Sequence, residues 1–319
     1  MARNACVVPA ACHAVMISDM HGAAENVLMF PVENSETVPR MTILFDNRDW
    51  SALTLGERIR QIEVEGYLVL PNVIDPEEVA RLKLETTALE TTGVDYSEHQ
   101  RGCPNLQFRG GRIAQLIANP PVAAFLRVLF GDDVILMSHV YARSEPGHPG
   151  ISLHADGQPY GSQIFGYAGS CPFLVRVLYY LDDLTPEISP FRVVPHSHLS
   201  MHADANPYLR YESHPEEVAV TLKAGSAVLI NHRVFHGNLP NVGDAPREML
   251  ALAYRPGWAG PVADVEEWDA AEVARLPESI QPFFGSRNKR GWDFAGGNKP
   301  ANMASEAPGM NPSRWQRDY

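Results

Sequence analysis

The sequence predicts a mainly β protein with flanking helices, and two observations support that prediction. From about residue 133, short apolar or β-branched runs follow one another, separated by Gly, Pro, Asp and Asn. Many short strands with turn residues between them are typical of a sandwich or barrel, not of a parallel sheet with crossover helices. The second observation is that helical spacing of apolar residues is confined to the segments before and after this region. The predicted strands lie in DVILMSHVYA, GISLHAD, FLVRVLYYL, FRVVPHS, EVAVTL, SAVLINH and EMLALAYR.

The predicted helices surround this β core. Apolar residues recur at helical spacing in Leu55–Ile62, and the strand-like run YLVLPNV follows. Asp75 begins a second helix as its cap, with proline and two acidic residues in the first turn. GRIAQLIANPPVAAFLRVLFG predicts two short helices that break at Pro120-Pro121 and end at Gly131. VEEWDAAEVARLPESIQPFFG is a further helical segment after the core.

Composition narrows the class of partner. The 319 residues carry a formal net charge of −12 and no long basic run, which disfavours nucleic acid and anionic membranes as partners. The four scattered cysteines form no CxxC pair, as expected for a cytoplasmic protein. We read no membrane span in the sequence and expect a small-molecule substrate. The oligomeric state is left open.

The domain organisation is predicted to be simple. Residues 1–40 are expected to be a disordered N-terminal extension, and residues 296–319 a C-terminal tail rich in Gly, Asn and Pro. Residues 41–295 would form a single domain whose β core spans about 133–260. That length is ample for one hydrophobic core.

The triplet His-Ala-Asp occurs twice, at His154 and at His202. On a strand, residues i and i+2 share a face, so His154 and Asp156 in the strand-like GISLHAD could hold one metal ion. Two histidines and a carboxylate on one face, with open positions opposite, are typical of non-haem Fe(II) oxygenases. The second triplet lies in a polar, proline-bounded stretch that predicts a loop.

The third ligand would be a histidine from a distant strand, and His236 is the best candidate. It follows the strand-like SAVLIN, and enough chain separates it from His154 for the intervening strands of a jelly roll. Spacing alone leaves alternatives open, because His196 and His198 form an H-x-H pair and His232 precedes His236 by one strand repeat. A strand His–Asp pair can also be held together by nothing more than a hydrogen bond.

Arg247 favours the His154–Asp156–His236 assignment. It stands at the start of the apolar run EMLALAYR, and an arginine that enters a core strand needs an anionic partner. Its guanidinium is suited to binding a carboxylate through two parallel hydrogen bonds. The alternative is an arginine at the surface end of a strand.

Together these residues resemble the phytanoyl-CoA dioxygenase family of Fe(II)/2-oxoglutarate oxygenases over roughly residues 52–290. The matching segments are EGYLVLPNVIDPEEVARL, LHADG, YYLDDLTPEISPFRVVPHSH and KAGSAVLINHRVFHGNLPNVGDAPREMLALAYRPG. The family's Pro-Gly-Ser-His is Pro-His-Ser-His here, with His196 in place of glycine. The resemblance assigns the H-x-H pair a structural role.

The resemblance implies a double-stranded β-helix, the jelly roll of cupin-like proteins, and a complete cofactor set. Fe(II) would be bound by His154, Asp156 and His236, and Arg247 would bind the distal carboxylate of 2-oxoglutarate. O2 would be the second cosubstrate, with succinate and CO2 as products. Further side chains are expected near 2-oxoglutarate on the strand before the His-Ala-Asp clip, in the loop after it and beyond His236, and these are His139, Tyr141, Tyr160 and Asn238.

Asp156 also bears on the reaction type. Related halogenases lack this carboxylate, so its presence implies hydroxylation or another oxidation of a secondary metabolite, an amino-acid-like compound or an acyl group. Desaturation, ring closure and epimerisation would use the same ligands. Two alternatives stand beside this reading, a cupin-like metalloenzyme that uses His196 and His198 without 2-oxoglutarate, and a non-catalytic ligand-binding member of the fold.

Overall fold

The computed structural model describes residues 43–94, 97–148, 150–154, 172–200, 202, 213–261 and 263–289. The expected N-terminal extension (1–40) and C-terminal tail (296–319) lie outside these ranges. The strands are β1 (Leu44–Asp46), β2 (Tyr67–Leu70), β3 (Thr92–Val94), β4 (Ser97–Cys103), β5 (Val134–Ser144), β6 (Ile151–His154), β7 (Val175–Tyr180), β8 (Phe191–Val193), β9 (Val218–Val220), β10 (Ala227–Asn231), β11 (His236–Asn238) and β12 (Arg247–Pro256).

The strands form two sheets, which confirms the predicted mainly β fold. The major sheet has the order β2-β10-β7-β12-β5-β4-β3, and the minor sheet has the order β1-β9-β8-β11-β6. Neighbouring strands are antiparallel except for the parallel pair β1–β9. Because consecutive core strands alternate between the sheets, as β10 and β11 do, the chain winds as a jelly roll.

The helices are α1 (Leu55–Arg60), α2 (Pro76–Thr87), α3 (Gly111–Gln115), α4 (Pro120–Phe130) and α5 (Ala270–Ala274). The predicted start of α2 is confirmed, since the Asp75 carboxylate accepts a hydrogen bond from the Glu78 amide at 2.7 Å. The predicted break before α4 lies one residue earlier than expected. Asn119 caps α4, and Pro120 occupies the first turn. A backbone N–H at that position would have no partner within the helix, so proline costs no hydrogen bond there.

The first predicted helix changes its winding before it ends. After α1 the chain forms a π-helical turn, Gln61–Glu65, and ends at Gly66 with φ +88°. A Cβ atom at Gly66 would lie 2.7 Å from the Nδ1 atom of His198, so this close approach requires glycine. The turn thereby fixes the segment against the loop that follows β8.

The two faces of the major sheet differ in what covers them. On the outer face, the Tyr179 hydroxyl donates to the Leu116 carbonyl (3.4 Å) and the Tyr254 hydroxyl to the Ile117 carbonyl (3.0 Å), so helical segments cover it. The inner face bears the alternate residues, including Tyr180 and Arg247, and is turned towards the minor sheet. Side chains of β7 and β12 therefore alternate between a helical layer and the interior of the jelly roll.

The C-terminal segment is fastened to the major sheet by Arg255. Its buried guanidinium donates to the Ser286 and Arg287 carbonyls at 3.1 and 3.0 Å, as well as to three carbonyls at and just after the end of β12, those of Pro256, Gly257 and Ala259. The Trp268 ring packs edge-on against Phe108 and Phe284. The C-terminal segment is thus a packed layer of the domain.

Within the described residues, one apolar stretch is long enough to cross a membrane by length and composition. It is Gly111–Phe130, and 56% of it is buried inside the fold. Asn119 and Pro120 interrupt it between two helices. This is the pattern of a core segment packed against a sheet.

Candidate functional site

His236 and His154 are cross-strand partners in the minor sheet. The register of the antiparallel pair β11–β6 sets His236 directly opposite His154. Directly opposite positions in such a pair have Cβ atoms about 4.5–5.5 Å apart on one face, which suits two ligands of one metal ion. Asp156 and Tyr160 lie outside the described residues, and among those residues there is no group of three possible metal ligands.

The His236 imidazole is held in one tautomer. Its Nδ1–H group donates to the Val234 carbonyl at 3.0 Å, so Nε2 carries the ring's lone pair. The Phe191 ring lies nearly parallel to the imidazole, at 27° with ring centroids 6.1 Å apart. A backbone carbonyl bound to the second nitrogen is the usual way in which proteins orient a metal-binding histidine.

Arg247 is a fully buried cation at the first position of β12, with 0% of its surface exposed. Its Nη2 atom donates to the Ser144 hydroxyl at 2.6 Å, and that hydroxyl donates to the Gln100 side-chain carbonyl at 2.6 Å. Gln100, Ser144 and Arg247 form one cross-strand row over β4, β5 and β12. The row fixes the guanidinium in place before any ligand binds.

Two further buried side chains, Tyr180 and His148, lie near this guanidinium. The Tyr180 ring lies under it, with the centroid 5.7 Å from Cζ, and Asn238 lies beside the Tyr180 hydroxyl. Burial, together with the positive charges of Arg247 and His99, lowers the pKa of His148 to about 4. His148 is therefore a neutral imidazole at pH 7, and it adds no charge to the positive field of Arg247.

Of the three further cosubstrate residues that lie in the described part of the chain, Asn238 alone is on the Arg247 side of the major sheet, beside Tyr180. Tyr141 lies on the outer face, where its hydroxyl donates to Glu248 at 2.5 Å. His139 is two residues earlier on the same strand and the same face, and it is fully buried. Because strand side chains alternate, both residues are separated from Arg247 by the sheet itself.

The alternative histidine pair is bound to the protein's own backbone. His196 Nδ1–H donates to the Val64 carbonyl at 3.0 Å, and His198 Nε2–H donates to the Glu63 carbonyl at 2.7 Å. His196 has φ +65°, the conformation that favours glycine, which the family has at this position. These contacts give the H-x-H pair a structural role, as the resemblance implied.

Two other histidines are placed away from the proposed ligands. His232 Nδ1–H donates to the Leu174 carbonyl at 3.1 Å and so ties two loop segments together. His202 is exposed and belongs to no strand, and Asp204 lies outside the described residues. Nothing in the described structure therefore groups the second His-Ala-Asp triplet with His236.

The sequence did not predict the side chains that hold Arg247, namely Gln100, Ser144 and Tyr180. Each is an ordinary residue with no motif around it, and β4 was not predicted as a strand. Only the register of β4, β5, β7 and β12 brings these residues to one point. Ser144 also gave no sequence signal, because the predicted strand DVILMSHVYA ended at Ala142, two residues before it.

The chain is similar in sequence to known proteins. The sequence profile of the phytanoyl-CoA dioxygenase (PhyH) family matches residues 62–249, more than half of the chain. An ectoine dioxygenase from Nocardia farcinica is 22% identical over 259 residues, covering 70% of this chain and 85% of that protein. The matched region contains His154, Asp156, His236 and Arg247.

Solved structures show the same fold. HygX from Streptomyces hygroscopicus, crystallised with nickel, 2-oxoglutarate and hygromycin B, superposes with a TM-score of 0.51 at 24% identity, over 64% of this chain and 88% of HygX. The α-ketoglutarate-dependent epimerase SnoN from nogalamycin biosynthesis has a TM-score of 0.53 at 20% identity, over 64% of this chain and 84% of SnoN. These similarities confirm the predicted jelly-roll fold.

Proposed function

Because the chain belongs to the phytanoyl-CoA dioxygenase family, we propose that it is an Fe(II)- and 2-oxoglutarate-dependent dioxygenase that hydroxylates a small organic molecule. One observation carries this proposal. The cross-strand pair His154–His236 is in the minor sheet, and the fully buried Arg247 is on the face of the major sheet that is turned towards it. This arrangement supports the proposal, in which the histidine pair would bind the metal and the buried Arg247 would bind a carboxylate in the same interior.

Fe(II) is bound by His154, Asp156 and His236 in this proposal. The fixed tautomer of His236 fits that role, because the nitrogen opposite the Val234 hydrogen bond has the lone pair that a metal requires. The pairing of His154 with His236 supplies two ligand positions at a suitable separation. Asp156 completes two histidines and one carboxylate, the ligand set of non-haem iron oxygenases.

Arg247 would bind the distal carboxylate of 2-oxoglutarate through hydrogen bonds from its guanidinium, which Ser144 and the Tyr180 ring hold in position. The keto-acid end of 2-oxoglutarate would be the iron-binding end. A buried Arg–carboxylate pair is favourable when hydrogen bonds orient it in advance, as the Gln100–Ser144 row does here. Asn238 lines the same pocket.

The iron, when bound, supplies the activation of O2 that couples decarboxylation of 2-oxoglutarate to oxidation of the substrate. One oxygen atom enters succinate as CO2 leaves, and the other is inserted into a C–H bond of the substrate. The chain's own residues position both molecules and exclude water. The carboxylate of Asp156 favours hydroxylation over chlorination, because it occupies the position that a halide would need.

The proposal is tested by succinate formation from 2-oxoglutarate in the presence of Fe(II) and ascorbate, and by the visible absorption band of the anaerobic iron–2-oxoglutarate complex. We expect wild type to show both and His236→Ala to show neither. The two His-Ala-Asp triplets supply a matched pair, since Asp156→Ala should abolish succinate formation and Asp204→Ala should preserve it. A wild-type protein without the absorption band would be a non-catalytic member of the fold, and metal-dependent turnover without 2-oxoglutarate would indicate a cupin-like enzyme.

A further inference from the structure

The inner face of β5 is accessible to solvent, although it lies inside the jelly roll. Ser138, Val140 and Ala142 on this face are partly exposed. Between them on the outer face, His139 and Tyr141 are 0% and 2% exposed. We propose that the substrate lies along this inner face, with an uncharged, ring-sized part in contact with Val140 and Ser138. This inference rests on the proposed function and adds the position and chemical class of the substrate to it.

Cross-strand register assigns the partly exposed residues to the inner face. Ser144 is an inner-face residue because its hydroxyl accepts a hydrogen bond from Arg247. Ala142, Val140 and Ser138 precede it at intervals of two residues, and the pairing of β5 with β12 is regular over this segment. Their side chains therefore point towards the minor sheet, which contains the proposed metal ligands.

The accessible space closes deeper in the major sheet. Val140 pairs with Ala251 on β12, which is buried. Ser138 pairs with Ala253, which is buried as well. Leu178, the partner of Ala251 on β7, is also buried. The interior is therefore entered from the β5 side, where the minor sheet ends at the four-residue strand β6.

Val140 and Ser138 lie beyond the reach of a cosubstrate bound to Arg247. Arg247 pairs with Ser144. Ala142 lies about 7 Å and Val140 about 13 Å from Ser144 along the strand. A five-carbon dicarboxylate that accepts hydrogen bonds from the guanidinium extends about 8 Å from it, given C–C bonds of about 1.5 Å. It would therefore cover Ala142 and leave Val140 and Ser138 to a second molecule.

The proposed metal ligand His236 is at the level of Val140. Asn238 lies beside Tyr180, which shares a cross-strand row with Ala142. β10 runs away from the cosubstrate end of the interior and β11 returns, so His236 lies about 7 Å further from that end than Asn238 does. Val140 is displaced from Ala142 by the same distance, so a molecule on Val140 lies at the level of the metal.

The side chains on this face predict an uncharged ligand. Val140, Ser138 and the two alanines opposite them are small and carry no charge. The arginines of the inner face, Arg176 and Arg247, belong to β7 and to the start of β12. Charged groups are costly to bury beside apolar side chains, whereas an apolar ring gains from burial. The small side chains leave room for the thickness of a ring, and the Ser138 hydroxyl can bind one polar group at its edge.

A buried hydroxyl also points to a bound molecule in this interior. The Tyr180 hydroxyl is on the inner face of β7, and the residue is completely buried. It lies beside Asn238 but forms no hydrogen bond of normal geometry within the described part of the chain. Buried hydroxyls are normally hydrogen-bonded, so this one is available to a molecule held between the sheets.

Cysteine labelling tests which face of β5 a ring can reach. Ser138→Cys, Val140→Cys and Ala142→Cys are made singly in the full-length chain after its four native cysteines are replaced by serine. The matched control on the outer face is His139→Cys, and Leu84→Cys, whose position is 76% exposed, gives the rate of a freely accessible thiol. The uncharged probe is N-phenylmaleimide. The thiol adds across its C=C bond, with the sulfur on one carbon and the proton on the other.

The uncharged probe should separate the two faces of the strand. We expect Val140→Cys and Ser138→Cys to react within about 100-fold of the rate of Leu84→Cys. His139→Cys should react at least about 1,000-fold more slowly than Leu84→Cys, because helices cover the outer face. N-(4-carboxyphenyl)maleimide has the same ring with a carboxylate. Relative to Leu84→Cys, it should react with Val140→Cys at least about 10-fold more slowly than the uncharged probe does.

Fe(II) and 2-oxoglutarate, added together under argon, separate the substrate position from the cosubstrate position. They should slow the labelling of Ala142→Cys about 10-fold or more and leave Val140→Cys within about 3-fold of its rate without them, because the cosubstrate covers only the first position. Circular dichroism and the melting temperature show whether each variant is folded. Ser138→Cys provides the test if Val140→Cys does not fold.

The inference is overturned if both inner-face variants, Val140→Cys and Ser138→Cys, are labelled as slowly as His139→Cys. Equal protection of Val140→Cys and Ala142→Cys by the cosubstrate would also overturn it, as would equal rates with the charged and the uncharged ring. The absorption band of the iron–2-oxoglutarate complex is recorded first in wild type. Its absence refutes the proposed function and with it the inference, whereas its presence with slow labelling of Val140→Cys refutes only the substrate position.

Discussion

Tyr179 and Tyr180 are consecutive residues of β7, both completely buried, yet they belong to different chemical environments. The Tyr179 hydroxyl donates to a backbone carbonyl of the helical layer, on the outer face. The Tyr180 ring lies under the Arg247 guanidinium, on the inner face. One residue along a strand separates a packing contact from the proposed binding site, because strand side chains alternate between faces.

The difference between the two faces extends beyond these tyrosines. Outer-face polar groups bind other parts of the chain, as Tyr141 and Thr86 do through the Glu248 carboxylate. Inner-face polar groups include Arg247 and Ser144, which bind each other in the interior. Buried polarity on the outer face therefore stabilises the fold, whereas the inner face is where the proposed cosubstrate would bind. Substitutions on the inner face should therefore change the affinity for 2-oxoglutarate, and substitutions on the outer face should change the stability of the fold.

Two buried arginines of β12 provide the strongest contrast. Arg247→Gln should raise the Kd for 2-oxoglutarate about 100-fold or more, because a buried charge-assisted pair is lost. Arg255→Gln should leave that Kd unchanged and lower the free energy of unfolding by about 3 kcal/mol, because Arg255 donates to backbone carbonyls on both sides of the C-terminal segment. Calorimetric titration of 2-oxoglutarate and urea unfolding measure the two effects. Equal losses of affinity in both variants would contradict the separate roles.

The burial of His139 on the outer face can be tested by the pH dependence of the protein's stability. Burial lowers its pKa from 6.5 to about 3, and neither ring nitrogen has a hydrogen-bond partner in the part of the chain that the structure describes. Between these pKa values only the unfolded chain binds the proton, so stability falls as pH falls, by about 1.4 kcal/mol per pH unit. From pH 6.5 to pH 5, His139→Leu should therefore lose about 2 kcal/mol less than wild type.

Urea unfolding at pH 7 and pH 5 measures this difference. At pH 7 the histidine is neutral in both states, so the variant should be at least as stable as wild type, since an apolar side chain replaces a buried polar one. A pH dependence identical to that of wild type would contradict the assignment. Succinate formation at pH 7 should be unchanged, because the sheet separates His139 from Arg247.

Tyr141 tests the position that the sequence suggested for the cosubstrate pocket. Tyr141→Phe removes a hydrogen bond to the buried Glu248 carboxylate and should lower the free energy of unfolding by about 1.5 kcal/mol. The Kd for 2-oxoglutarate should be the same as in wild type. An increase in that Kd of 10-fold or more would place Tyr141 in the pocket after all.

Much of the fold could be predicted because its signals are local. The cap at Asp75 and the proline after it define the start of α2, and apolar or β-branched runs define β5, β7, β10 and β12. β11 is three residues long and β4 is polar in sequence, so neither has a recognisable strand pattern. Both are strands because neighbouring strands hydrogen-bond to them. Residue propensities along the chain contain no information about such neighbours.

The candidate site was predictable only where the chemistry is unusual for its position. Arg247 was predictable as a site residue because it begins an apolar strand. His154 was predictable because an aspartate follows it two residues later. The faces of Tyr141 and His139 depend on register, and a shift of one residue would have moved both to the interior. Tyr180 could not be separated from Tyr179 for the same reason, as nothing in FLVRVLYYL indicates which tyrosine faces the ligand.

The two tyrosines give the smallest and most direct test of the contrast between the faces. Tyr180→Phe retains the ring beneath Arg247 and removes only the hydroxyl beside Asn238, so the Kd for 2-oxoglutarate should rise about 3-fold, with stability nearly unchanged. Tyr179→Phe removes a long hydrogen bond of 3.4 Å and should cost about 0.5 kcal/mol of stability without affecting that Kd. The same chemical change at adjacent positions thus separates binding from folding. If both variants bind 2-oxoglutarate equally well, the Tyr180 hydroxyl has no part in the pocket, and Arg247 is held by Ser144 and the aromatic ring alone.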